Sequence, residues 1–294
     1  PKKAPGETLH PGIEALFVQL DIAEQIRMAN FPRHRGVWFD NNGLRQFIPY
    51  GEDSNGSWFG YQADRKKLQH ILQQAAIDNH ANLIVHCCPD DVILKENRVV
   101  GVLVNHKVFR SKWTIDATGR QAWLAKKLAL SQTLYSPPLS ARFGWRNETH
   151  PELNNQPCFT FHEHGWTWTA PVGDNQIAWS EMSIGTPSAD NQQPKGLNVT
   201  WSIRPESAGL GYFLLGDAAA MLDPASSHGV LRAVMSGIMV SHLLAGYKSG
   251  TISEQQSIET YRTWLQALFA HDVEQLREQY ANSPVKMAFN RTIV

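Results

Sequence analysis

The sequence predicts an α/β protein in two lobes, with a second, largely antiparallel sheet inserted into the chain of the first. Three observations carry that reading. Apolar residues recur at helical spacing in two long stretches, Leu68–Ala76 and Ile258–Phe269. An unbroken apolar run, Tyr212–Leu215, has the character of a strand buried on both faces, as in a parallel sheet. From Leu139 to Ile184 apolar and polar residues alternate, as in Trp166-Thr167-Trp168-Thr169 and Ile177-Ala178-Trp179-Ser180. That period belongs to an antiparallel sheet with one covered face.

Composition narrows the function classes. With 294 residues, 42% hydrophobic and 18% charged, the chain is neither disordered nor fibrous. Its 27 Lys+Arg balance 27 Asp+Glu, so no net charge draws it to a nucleic-acid backbone or an anionic membrane, and neither is expected as a partner. Cys87, Cys88 and Cys158 cannot all pair, a bridge between adjacent cysteines is strained, and no Cys/His metal spacing occurs. Reduced thiols, a cytoplasmic location and no metal are therefore expected. The first residues lack the apolar core of a signal peptide. The most membrane-like stretch, Gly237–Tyr247, falls short of the roughly 20 residues that a span needs.

Taken in order, Pro11-Gly12 launches a helix with Ile13, Leu16, Phe17 and Leu20 on one side and no buried strand before it. Val37–Ile48 reads as a hairpin turning at Asn41-Asn42-Gly43. Asp64 caps a long helix whose stripe is Leu68, Ile71, Leu72, Ala75 and Ala76. Strands are expected at Leu83–His86, Val92–Lys95, Val99–Val104 and Trp113–Ile115, the middle pair turning at Glu96-Asn97. Asp190–Leu197 is a polar loop. A small-residue helix follows from about Val230, and the tail is helical over Glu254–Tyr280 with Ile258, Tyr261, Leu265, Leu268 and Phe269 on one stripe.

The most informative stretch lies between these last elements. The apolar strand ends in Gly216-Asp217, where the chain leaves the carboxyl edge of a sheet and ligands bind. Asp223-Pro224-Ala225-Ser226-Ser227-His228-Gly229 then presents amides at a helix start, where unpaired N–H groups and the helix dipole stabilise an anion. Gly229, Ala233, Ser236 and Gly237 are small enough for a flat ring to approach. A plain strand, cap and packed helix is the competing reading, and a cap alone needs only one polar residue.

Gly216-Asp217-Ala218-Ala219, Asp223-Pro224 and His228-Gly229-Val230 together resemble the second flavin motif of FAD monooxygenases of the p-hydroxybenzoate hydroxylase superfamily, in its tryptophan-halogenase-like branch. Gly6-Glu7-Thr8, Gly60–Arg65 and Asp116-Ala117-Thr118-Gly119 resemble further segments of that family in the same order. The resemblance implies FAD as cofactor, held by Gly6, Glu7, Arg65, Asp116, Gly216, Asp217, Ala218, Pro224, Ser227, Gly229 and Val230. It implies a Rossmann-like FAD-binding domain over 1–24, 52–137 and 205–250, an antiparallel-sheet substrate domain over 25–51 and 138–204, and a C-terminal helical segment over 251–294. The family's opening strand, Gly-x-Gly-x-x-Gly and helix form a βαβ unit that this sequence does not contain. Its omission is expected, with loss of FAD binding the alternative.

The family's halogenases use a lysine in a Ser-Phe-Lys-x-Gly context. In the matching stretch, Asn30 to Phe39, His34 or a neighbouring arginine takes that place. Gly165–Pro171 and the 223–231 run resemble more closely the flavoproteins that hydroxylate a tryptophan within the precursor of a quinone-cofactor oxidase or dehydrogenase. The expected activity is that hydroxylation, in tryptophylquinone biogenesis, with an external reductant and with His34 and His228 relaying protons or orienting the indole. The alternatives are a flavin-dependent halogenase, a small-molecule oxidoreductase, or a partner-binding scaffold without FAD.

Overall fold

The alternating segments on either side of the first long helix close into one seven-stranded sheet. A computed structural model describes residues 7–41, 43–54, 56–172, 175–186, 196–287 and 289. Its helices are α1 (Ile13–Gln19), α2 (Ala23–Met28), α3 (Arg65–Asp78), α4 (Trp123–Lys127), α5 (Gly229–Ser249) and α6 (Glu254–Ala281). The chain divides into two units: Pro1–Asn82 with Pro137–Val199 and Leu276–Asn290, and Leu83–Ser136 with Thr200–Gln275 and Arg291–Val294. Residues 1–24 and 52–82 thus cluster with the inserted sheet, whereas the sequence division grouped them with the nucleotide-binding lobe.

In the first unit the sheet runs Leu197–Asn198, Leu139–Arg146, Ile177–Ile184, Gly165–Pro171, Cys158–His162, Gly36–Asn41, Leu44–Pro49. Every neighbouring pair is antiparallel except the junction of Cys158–His162 with Gly36–Asn41, where Cys158 stands opposite Trp38. That one parallel seam lets a hairpin from early in the chain extend a sheet built much later. Asn41 pairs with Leu44, so the turn is two residues long; Gly43 adopts φ +85°, and Asn42 lies outside the described residues. Trp166, Trp168 and Ala170 occupy the buried face of their strand by the period of two. Trp166 stands edge-on to Phe159 at 5.3 Å, and its Nε1 donates to Tyr280 Oη at 2.8 Å.

A smaller sheet orders Glu7–Leu9, Gly60–Ala63 and Arg33–His34. A strand therefore does precede α1, but at three residues it is too short to leave an alternation in the sequence. Asp64 caps α3 as expected, accepting from Lys67 N at 2.9 Å. Of the predicted stripe only Leu68 is fully buried.

The second unit holds the parallel pair Thr114–Asp116 and Tyr212–Leu214, with Ala208–Gly209 antiparallel on its far side. The hairpin Asp91–Lys95, Arg98–Val104 forms as read and is joined by a third strand, Lys107–Arg110, that the expected strands do not include; Glu96 and Asn97 both take positive φ, +50° and +63°, as a tight two-residue turn requires. Residues Thr133–Leu134, Ser202–Ile203 and Ala220–Met221 make a further short sheet. Within Glu254–Gln275, α6 lays Ile258, Tyr261, Leu265, Phe269 and Val273 into the core, and Tyr261 Oη donates to Leu214 O at 2.6 Å.

Two expectations fail here. Leu83–His86 is not a strand: Leu83, Ile84 and Val85 are 52–59% exposed, because a strand exists only through a ladder, and no described strand pairs with this run. The membrane-like stretch Gly237–Tyr247 also covers only part of the helix, which starts near Val230 as expected and runs Gly229–Ser249. The 21 residues of α5 are long and apolar enough, by length and composition, to cross a membrane. The helix nevertheless carries an internal charge, Arg232, ion-paired to Asp272 of α6 within the same unit.

Candidate functional site

The site grows out of the end of a strand. After Leu214 the chain turns at Gly216 with φ +52°, the left-handed region that glycine enters without a Cβ penalty. The Gly216 N–H donates to Ser236 Oγ at 3.1 Å, and that hydroxyl donates to Ala233 O at 2.7 Å. A Cβ at position 216 would stand 3.1 Å from the Ala233 Cβ. The strand end is thus pinned against α5, and the next residue, Asp217, is turned out to solvent while Ala218 is buried. Asp217 lies just past the carboxyl end of a strand in a parallel pair, the place where open α/β sheets take ligands.

The chain then returns to open α5. Asp223 is fully buried, and its Oδ1 accepts from Ala225 N at 2.7 Å, fixing the Pro224–Ser226 turn. Ser227 takes φ +52° and His228 is the N-cap residue. Gly229 and Val230, in the first turn, direct amides that no helix carbonyl can reach toward the positive end of the dipole. A Cβ on Gly229 or Gly237 would meet no atom within 4 Å, so there is open space beside both glycines. Pro224 and Gly229 are exposed.

Behind this loop lies a charge cluster that sequence reading missed. Arg232 Nη1 stands 3.3 Å from Asp272 Oδ2, and the two side chains are only 12% and 5% exposed. Burial pushes the Arg232 guanidinium below its ordinary value, opposed by the negative charges of Asp272, Asp217 and Asp223. His228 Nδ1 lies 3.9 Å from Asp272 Oδ1, beyond hydrogen-bond reach but within range of an ion pair when the ring is protonated. A lone arginine in the run Val230-Leu231-Arg232-Ala233-Val234 was the available signal: an isolated cation in an apolar helix needs a partner.

The remaining candidates divide. In the first unit Glu7 and Arg65 meet, Nη1 to Oε1 at 3.2 Å, while Gly6 lies outside the described residues. Asp116, in the second unit, spends both oxygens on the backbone, accepting from Thr118 N and Leu124 N at 2.8 Å each. Its carboxylate is a structural clamp on the entry to α4, which narrows the expected cofactor role of this segment to its neighbouring backbone. His34 departs furthest from its expected part. It is fully buried, Nδ1 lies 3.3 Å from Gly36 O, the ring is 5.4 Å from Tyr50, and burial lowers its pKa to about 4. The imidazole is buried and neutral, with Nε2 left without a hydrogen-bond partner. The cysteines are free, and no group of three His, Cys, Asp or Glu side chains is placed to hold a metal among the described residues.

No family model matches the chain. It is 21% identical over 305 residues to tryptophan 2-halogenase of Chondromyces crocatus, covering 90% of this chain and 58% of that protein. It is 23% identical over 301 residues to the 1H-pyrrole-2-carbonyl-[peptidyl-carrier protein] brominase of Pseudoalteromonas luteoviolacea, covering 88% and 72%. The chain thus spans little more than half the length of the first of these relatives. Among solved structures it superposes on the flavin-dependent brominase Bmp2 with a TM-score of 0.77, at 19% identity, covering 90% of this chain and 74% of that one. The myxobacterial chondrochloren halogenase CndH, an FAD-dependent halogenase, gives 0.78 at 18% identity over 94% and 74%. Pseudomonas aeruginosa PqsL, a probable FAD-dependent monooxygenase, gives 0.74 at 12% identity over 93% and 86%. The fold is the mixed α/β fold of these flavin-dependent proteins.

Proposed function

We propose that the chain binds FAD and belongs to an oxygen-activating flavoenzyme of the halogenase type. One observation carries the reading: the exposed carboxylate of Asp217 past a strand end, beside an α5 N-terminus with open space at Gly229 and Gly237. The residues fit the group. Asp217 would accept from ribityl hydroxyls, and the Gly229 and Val230 amides would stabilise an anionic ring edge. Bound and reduced, the flavin with oxygen supplies an electrophilic oxygen, which halide converts to an electrophilic halogen. The halogenase likenesses support that outcome.

One observation favours a second reading, oxygen insertion without halide. Where the resembled family has its lysine, this sequence offers His34 or a neighbouring arginine; the His34 ring is buried and neutral, so neither supplies a lysine ammonium to an electrophilic halogen species. In its narrowest form this reading is hydroxylation of a tryptophan in the precursor of a quinone-cofactor oxidase or dehydrogenase, in the cytoplasm, with electrons from an external reductant. Trp166 and Trp168 pack the sheet in either case.

FAD titration followed by the visible spectrum tests the cofactor. A perturbed flavin band that saturates, with Asp217→Ala at least tenfold weaker, supports it; equal binding by wild type and variant overturns it. With reduced FAD, oxygen, bromide and indole supplied, brominated product supports the first reading and hydroxylated product the second. Bound flavin with neither product refutes both.

A further inference from the structure

The first unit contains a cavity of about 390 Å³ whose walls come from the end of α2, the strand Gly60–Ala63, the start of α3 and the large sheet. We infer that this cavity binds a small aromatic acid, a planar ring bearing one carboxylate, and the inference needs no part of the flavin chemistry.

The walls divide by chemistry. Phe31, Trp145 and Val172 give apolar and aromatic surface for a ring. Lys66 and Lys67 line it at the start of α3, against the single carboxylate of Asp64, so the lining carries one net positive charge. Asp64 is already engaged as the helix cap, its Oδ1 accepting from Lys67 N at 2.9 Å. The Lys67 ammonium is positioned rather than free to wander: Nζ donates to Ala29 O at 2.7 Å and lies 5.9 Å from the Phe31 ring centroid. An ammonium has three protons, so two remain for a ligand oxygen.

Gln62 adds an unpaired donor. It lines the cavity at 3% exposure, and its Oε1 accepts from Thr8 Oγ1 at 3.0 Å, which orients the amide. The other end, Nε2, has no hydrogen-bond partner. A buried amide N–H₂ without an acceptor costs free energy that an incoming carbonyl or carboxylate oxygen recovers. An acceptor-only ligand head answers both features, whereas an amine or a second cation would oppose Lys66 and Lys67. Because charge-assisted hydrogen bonds are roughly twice as strong as neutral ones, the acid is preferred over its isosteric amide.

Isothermal titration calorimetry on the purified protein without added flavin tests this, with indole-3-acetate and indole-3-acetamide as probes. Saturable binding of the acetate, at least tenfold tighter than the acetamide, is the expected result. Lys67→Met should remove most of that preference, and Gln62→Leu should weaken both probes severalfold. No saturable binding of the acetate overturns the inference, as does equal affinity for acid and amide, or a preference that Lys67→Met leaves intact. Circular dichroism identifies a variant that fails to fold, and the probe preference of the wild-type protein decides the matter without any variant. FAD titration reads the other unit, so failure here and failure of the flavin reading are separate results.

Discussion

Asp272→Asn tests whether the cluster under the 217–228 loop is held by charge. The substitution keeps shape and one acceptor but removes the counter-ion of Arg232. At 3.3 Å and an effective dielectric of about 20, the pair attraction is about 5 kcal/mol. Part of that only offsets the desolvation both ions suffer in the wild type, so the pair's net worth is smaller. The variant, however, keeps Arg232 buried without its counter-ion, and the expected loss is about 3–5 kcal/mol. Urea denaturation at fixed ionic strength measures it. Lys127→Met is the control. Its pair with Asp91 is in the same unit and shorter, 3.1 Å, yet the partners are 37% and 61% exposed, so stability should hardly change. Restoring packing with Arg232→Met in the Asp272→Leu background should recover most of the loss. If Asp272→Asn shifts the midpoint no more than Lys127→Met does, burial is not what gives the pair its strength, and the reasoning fails.

Three further outcomes follow from the geometry. His34 is held at about 4 when folded and 6.5 when free, so the unfolded chain binds more protons between those values; stability should fall as pH drops through 6.5 and level off near 4. At 1.36 kcal/mol per pH unit the loss is about 3 kcal/mol, and His34→Gln should abolish that part of the pH profile in thermal melts. Tyr261→Phe removes the donor to Leu214 O and should cost about 1–2 kcal/mol by urea titration, a loss near zero refuting a paired buried carbonyl. Asp116→Ala frees the buried Leu124 N–H and the partly exposed Thr118 N–H and should cost about 1–3 kcal/mol, and Asp116→Asn, which keeps acceptor capacity at one oxygen, about half that.

Much of the architecture is legible because it rests on local periodicity. The alternation of Leu139–Ile184, the Asp64 cap, the Glu96-Asn97 turn and the buried run Tyr212–Leu214 each leave their signal in consecutive residues. What escapes depends on partners distant in sequence. Leu83–Val85 has the composition of a strand, but composition does not supply a ladder. Asp-x-x-Gly after a strand marks Asp116 as a ligand residue, but one oxygen accepts from Thr118 N two residues on and the other from Leu124 N, at a helix start eight residues on. The pattern could not distinguish a carboxylate that caps from one that binds.

The same distinction separates the residues of the candidate site. Asp217 and Asp223 both stand beside glycine or proline in the sequence, and only the structure sorts them: Asp223 is buried and committed to Ala225 N, while Asp217 faces solvent. Arg232 attracts both, and Asp272, forty residues later, keeps Arg232 in place. An exposed carboxylate attracted by a buried cation keeps its oxygens open to solvent while being drawn toward one side, which is what an acceptor for sugar hydroxyls requires. The predicted chemistry therefore depends on a residue, Asp272, whose only sequence signature is an acid interrupting the apolar stripe of the last helix. Its loss should weaken FAD binding as well as stability, and FAD titration of Asp272→Asn at a temperature where it stays folded separates the two effects. Undiminished affinity there would show that Asp217 is oriented by its own turn and owes nothing to the cluster beneath it.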